Sequence, residues 1–124
     1  MIGKSFLFNF IKTKMWFTKK KDIYRVIRLS GSQDNILGVS FGEENKMEII
    51  EWPIEENEII RTSKEEVLKQ VISGLESVNK ALGTNYKLSK IYFLPSDRAS
   101  NSVYKLLISK LIRHYHSGNE FEEL

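Results

Sequence analysis

Few side chains in this 124-residue sequence are of kinds that make or break bonds, and their spacing restricts what they do. His114 and His116 stand two apart on a helical stretch, so their side chains diverge by roughly 200° and cannot share a metal ion or a proton. They read as solvated or helix-terminal groups near a C-terminal end, where positive charge is favourable. No serine sits in a Gly-x-Ser-x-Gly elbow, and Ser30, Ser32 and Ser96 occupy turn or cap positions. Gly38-Val39-Ser40-Phe41-Gly42 sets its glycines in a strand and lacks the lysine and helix start of a phosphate loop. The absence of cysteine excludes disulfides, thiolate nucleophiles and thiolate metal centres. Carboxylates are abundant between 43 and 58, but the sequence shows neither the pocket nor the separation that a glycosidase pair or a magnesium site requires. The expectation is a protein that is not an enzyme, with no catalytic residue, metal, cofactor or small-molecule substrate.

Binding has a stronger basis, because the charge is segregated. The net +3 comes from 19 basic and 16 acidic side chains. Residues 1–28 hold eight basic side chains against Asp22 (+7), 29–66 hold ten acidic against three basic (−7), and 67–124 hold eight basic against five acidic (+3). Such a layout steers an oppositely charged partner. Glu43, Glu44, Glu48, Glu51, Glu55, Glu56 and Glu58 surround one expected edge strand, with Trp52 as an aromatic anchor. Their complement is a basic protein, for example a nuclease whose site must attract phosphate. A merely solvated acidic face is the plainer reading of the same residues. The basic stretch offers a different function. Lys12, Lys14, Lys19, Lys20, Lys21, Arg25 and Arg28, interleaved with Trp16, Phe17 and Tyr24, would serve a small nucleic-acid-binding module. The small net charge and the lack of a recognised nucleic-acid motif weigh against it.

The elements that position these groups follow from periodicity. Residues 22–30 are β-branched and aromatic and end in a loop signal at Gly31-Ser32-Gln33-Asp34-Asn35. Leu37, Val39 and Phe41 then alternate with small residues, as in a strand with one buried face. Residues 47–54 read as a third strand, with a bulge or a two-sided pattern near Ile49 and Ile50 and an end marked by Pro53. Short turns between the three predict an antiparallel meander. A long helix starts at Thr62 and Ser63, each three residues ahead of a glutamate, and stops at Gly83. Gly74 lies inside it, where another element approaches closely. Ile91-Tyr92-Phe93-Leu94 is an interior strand buried on both faces. A second helix, apolar around much of its girth, runs from Val103 until Gly118. The order β-β-β-α-β-α makes the class α+β, with helices packed on a mainly antiparallel sheet behind an N-terminal helix or arm.

One domain spans 1–124: a basic and aromatic segment at 1–20, an α+β core at 21–118 and an acidic, frayed tail at 119–124. With 41% hydrophobic residues and this length, folding buries about two-thirds of the chain's surface without any staple. The opening MIGKSFLFNFIKTKMWF is too interrupted by Asn9, Lys12 and Lys14 for a signal peptide and too short for a transmembrane segment. Its apolar residues spread around a helical wheel, against a membrane-surface helix. A cytoplasmic location is expected.

The C-terminal third carries a resemblance. Ile91-Tyr92-Phe93-Leu94-Pro95-Ser96-Asp97-Arg98, then Ser102-Val103-Tyr104, then Leu111-Ile112-Arg113-His114-Tyr115-His116-Ser117-Gly118 and Phe121, resembles small bacterial immunity proteins of contact-dependent growth-inhibition and related polymorphic toxin systems. The resemblance covers about 30 residues. It implies a non-enzymatic cytoplasmic inhibitor that covers the active site of a cognate toxin domain, often a tRNA-cleaving nuclease. It assigns no contact residues, so the choice of 43–58 as the toxin-binding segment rests on charge alone.

Overall fold

A computed structural model describes residues 14–30, 34–43, 47–99 and 102–124. In chain order these form β1 (Lys14–Lys20), β2 (Ile23–Leu29), β3 (Asp34–Phe41), β4 (Glu48–Glu51), helix α1 (Lys64–Leu82), β5 (Leu88–Phe93), helix α2 (Val103–His116) and β6 (Glu122–Glu123). The strands make one sheet in the order β4-β5-β3-β2-β1-β6. The class is α+β, as expected, but the sheet is mixed. β1, β2, β3 and β5 pair antiparallel in succession, whereas β4 runs parallel to β5 and β6 parallel to β1.

Alternation sorts the strands onto two faces. Phe17, Val26, Leu37 and Phe93 are successive cross-strand neighbours, and Val39 lies beside Ile91. This band meets both helices. Val67 and Val71 of α1 and Leu107, Ile108, Leu111 and Ile112 of α2 are wholly buried with it, so the core is one layer between sheet and helices.

Two expectations are corrected. The third strand does not extend an antiparallel meander, because β5 lies between it and β3. Ile91-Tyr92-Phe93 is buried on both faces and is satisfied only by strands on either side, and α1 supplies the crossover that a parallel neighbour needs. The tail is not frayed. β6 pairs with Thr18 and Lys19, the Leu124 N–H donates to the Lys19 carbonyl at 2.9 Å, and Trp16 Nε1 donates to Glu122 at 2.6 Å. The latter part of the basic and aromatic 1–20 segment is the strand β1; the expected helix or arm at 1–13 lies outside the described residues. The register shift falls between Ser40 and Phe41, while β4 is two-sided, Ile49 beside Ile91 and Ile50 beside Tyr92.

The helix signals hold. The Glu66 N–H donates to Ser63 Oγ at 3.2 Å, and Gly83 closes α1 in the left-handed region at φ 68°. Gly74 is where α2 crosses. A Cβ there would lie 2.5 Å from Ile108 Cγ2 and 2.7 Å from the Lys105 carbonyl oxygen. Gly74→Ala therefore destabilises the fold by about 1–3 kcal/mol even though alanine favours the helix, because the overlap includes backbone that cannot step aside. Chemical denaturation of the two proteins measures this; an alanine variant as stable as the parent would show that the crossing is loose.

Candidate protein-binding surface

The acidic segment is divided by the sheet. Glu43 and Glu48 lie where β5 begins, Glu43 next to Gly42, which bonds Lys87, and Glu48 opposite Lys90. Glu51 pairs with Lys64 at 3.9 Å across exposed surface. Glu55, Glu56 and Glu58 lie at the other end, in the loop leading to α1. Glu44 is outside the described residues. Trp52, expected as an aromatic anchor, is half-buried on the face of the sheet away from the helices. Its N–H continues the sheet to the Phe93 carbonyl at 2.8 Å, its indole stacks on Tyr92 with centroids 5.8 Å apart, and its ring edge lies 3.0 Å from where a Gly38 Cβ would be. Glycine at 38 makes room for that ring.

Beyond Trp52 the loop is held at both ends. The Glu58 N–H donates to the Glu55 carbonyl at 3.0 Å, and the Glu55 N–H donates back to Glu58 Oε1 at 2.8 Å. That backbone donor, supported by the Ser96 hydroxyl, holds the Glu58 carboxyl below its ordinary pKa. Arg61 and Thr62 both donate their N–H groups to the Pro95 carbonyl, at 2.8 and 3.1 Å, and Thr62 Oγ1 donates to the Asp97 carbonyl at 3.1 Å. Between these anchors Ile59 and Ile60 are 64% and 69% exposed. Charge reasoning had no reason to select them. An Ile-Ile pair beside a helix cap reads as core, and its exposure is the one signal that it is not.

The basic residues are divided as well. Lys19 and Arg28 share the helix-facing side with Tyr24 and Met15, and the Lys19 ammonium lies 4.9 Å from the Tyr24 ring centroid. Lys14, Lys20 and Arg25 alternate onto the opposite side with Trp16, and Arg25 Nε donates to Thr18 Oγ1 at 3.2 Å. Lys21 occupies the β1–β2 turn, and Lys12 lies outside the described residues. On that opposite side Thr18, Ser40 and Tyr92 are at most 8% exposed, which leaves Trp16 as the exposed aromatic of β1 to β3.

Both histidines are helix-terminal, in the last turn of α2, as one of the two expected readings has it, and each has a partner. The His114 ring stacks on Phe17 at 3.7 Å and donates through Nε2 to the Glu120 carbonyl at 2.6 Å, while His116 Nδ1 is 2.8 Å from Tyr86 Oη. His114 fastens the segment that carries β6, and His116 joins the end of α2 to the connection before β5. Among the described residues no group of three His, Asp or Glu side chains is arranged to hold a metal ion, and no helix is long and apolar enough to cross a membrane.

Asp97, unselected by sequence spacing, is the most perturbed carboxyl. It is half-buried, accepts the Ile36 N–H at 3.0 Å, and has its pKa pushed up to about 6, chiefly by burial, with Asp34 and Glu58 adding repulsion. With the Asn35 amide donating to the Arg98 carbonyl at 3.0 Å, it fastens the 94–99 loop to β3. Comparison of the chain with protein-family models, curated proteins and solved structures finds no match.

Because the folded pKa of Asp97 is raised, its contribution to stability is full below about pH 4, where the carboxyl is protonated in both states, and is lost as pH climbs through about 6. Asp97→Asn keeps an acceptor for the Ile36 N–H and cannot ionise. Thermal unfolding between pH 4 and 7.5 should show the parent losing more stability with rising pH than the variant. Parallel curves would mean that Asp97 is not buried enough to matter.

Proposed function

We propose that this protein is an immunity protein that binds a cognate bacterial toxin domain, a nuclease with a basic active-site surface, and neutralises it by covering that site. The observation that carries the reading is the 55–60 loop, where Glu55, Glu56 and Glu58 adjoin the exposed Ile59 and Ile60 on backbone already tied at both ends. Interfaces draw most of their energy from a few apolar anchors in desolvated pockets, while charges around them govern encounter rate and orientation. The loop supplies both. Its carboxylates take the place of substrate phosphates, and the isoleucines enter an apolar recess beside the partner's basic groups. Because the loop is held before binding, little conformational entropy is lost on association.

The resemblance of 91–98, 102–104 and 111–118 to immunity proteins supports the same reading, and with it a cytoplasmic, non-enzymatic role. The tRNA-cleaving class is the proposed toxin type. Relative to the starting expectation the surface is narrower, losing Trp52 to packing and gaining two isoleucines. The nucleic-acid alternative finds less support, since its basic residues fall on both sides of the sheet.

Co-expression with the toxin domain encoded immediately upstream tests this directly. The parent chain should restore growth. Changing Glu55, Glu56 and Glu58 together to lysine should slow association by about tenfold or more in low salt, and Ile60→Asp should speed dissociation. Full protection and unchanged affinity in both variants would eliminate this loop as the interface, and failure of the parent to protect would eliminate the immunity role.

A further inference from the structure

A second surface feature lies next to that loop and has the opposite charge. A cleft of about 720 Å³ opens between the first turns of α1 and α2, and Arg61, Lys69 and Lys105 are on its wall. Among the described residues the only ion pair joins Lys64 to Glu51, so none of these three cations has a carboxylate within 4.0 Å. The one acid on the wall, Glu66, accepts the Gln70 amide at 2.9 Å, and Gln70 Oε1 in turn accepts the Tyr104 N–H at 2.9 Å. That chain ties α1 to the start of α2. Ser63, Ser73 and Ser102 add hydroxyl donors to the wall. Tyr104 also forms part of it, wholly buried, with its hydroxyl toward Thr62.

We propose that this cleft binds a small phosphorylated ligand whose phosphate is held among Arg61, Lys69 and Lys105. Three like charges around one opening repel each other, and a dianion placed among them turns that repulsion into attraction, which a singly charged carboxylate does only in part. Arginine supplies a planar two-pronged donor and the lysines supply adaptable point charges, the combination that phosphate oxygens accept. Ile60 and Ala99 give the cleft an apolar margin for the rest of the ligand. The cleft shares Ile60 with the proposed toxin-binding loop, but ligand binding there does not need a toxin.

The test is a titration of the ¹⁵N-labelled full chain with inorganic phosphate and with pyrophosphate at constant ionic strength, chloride serving as the control anion. Saturable amide shifts are expected at Ser63, Lys69, Ser73 and Lys105, with pyrophosphate binding more tightly than phosphate. Lys69→Ala and Lys105→Ala should each weaken pyrophosphate binding by about tenfold, and Lys69→Arg should retain it. Lys80→Ala, an exposed change at the far end of α1, should have no effect. All these side chains are exposed, so the variants keep the fold. The proposal is overturned if shifts do not saturate, if chloride reproduces them, or if Lys80→Ala weakens binding as much as Lys69→Ala.

Discussion

The pairing of β5 with strands of opposite sense on its two sides governs the layout of the molecule. Leu88–Phe93 bonds antiparallel to β3 and parallel to β4, and its Ile91 and Phe93 side chains lie wholly within the core. A strand buried this way leaves no backbone group for water, so both neighbours are obligatory. The parallel neighbour then needs a long connection, and that connection contains both the exposed loop after Trp52 and α1. Where β5 ends, the carbonyl of Pro95 receives two N–H groups from the returning chain, at Arg61 and Thr62. The acidic loop and the basic cleft thus share one end of the sheet because one strand is inserted there.

The same arrangement makes the loop firm without regular structure. Its backbone N–H groups go to the 55–58 turn and to Pro95, the Thr62 hydroxyl goes to the Asp97 carbonyl, and its first residue packs against Gly38 and Tyr92. Asp97 has two tasks. Its carbonyl holds Thr62 and its carboxyl holds Ile36, so the loop, β3 and the approach to α2 are joined through a single residue. A group so placed is desolvated by the elements it connects, which accounts for its raised pKa.

Local signals were legible in the sequence wherever one residue type had one physical use. Ser63 before Glu66, glycine at 83, the apolar run 91–93 and glycine at the helix crossing each identified a structural feature correctly. What failed was pairing. Nothing in residues 47–54 distinguishes a hairpin partner of β3 from a parallel partner of β5, because strand sense is decided by tertiary contacts. Lys14–Lys20 was obscured by its charge: three of its four outward positions are basic or aromatic, and of its inward ones, Met15, Phe17 and Lys19, only two are apolar, too few to set a period. The site was legible as a sign of charge and not as a shape. Position along the chain located the glutamates, but only the fold separates Glu43 and Glu48 from Glu55 to Glu58, lays Trp52 over Tyr92 and leaves Ile59 and Ile60 in solvent.

The stacking of His114 on Phe17, with Phe121 set edge-on to both rings, has a spectroscopic consequence. An imidazole 3.7 Å above a phenyl face lies in that ring's shielding cone, so its carbon-bound protons resonate upfield of those of a free histidine. Phe121 belongs to the segment that carries β6, and His114 bonds that segment through the Glu120 carbonyl. The position of these proton resonances therefore registers whether the C-terminal segment lies along β1, a native marker that needs neither a label nor a binding partner.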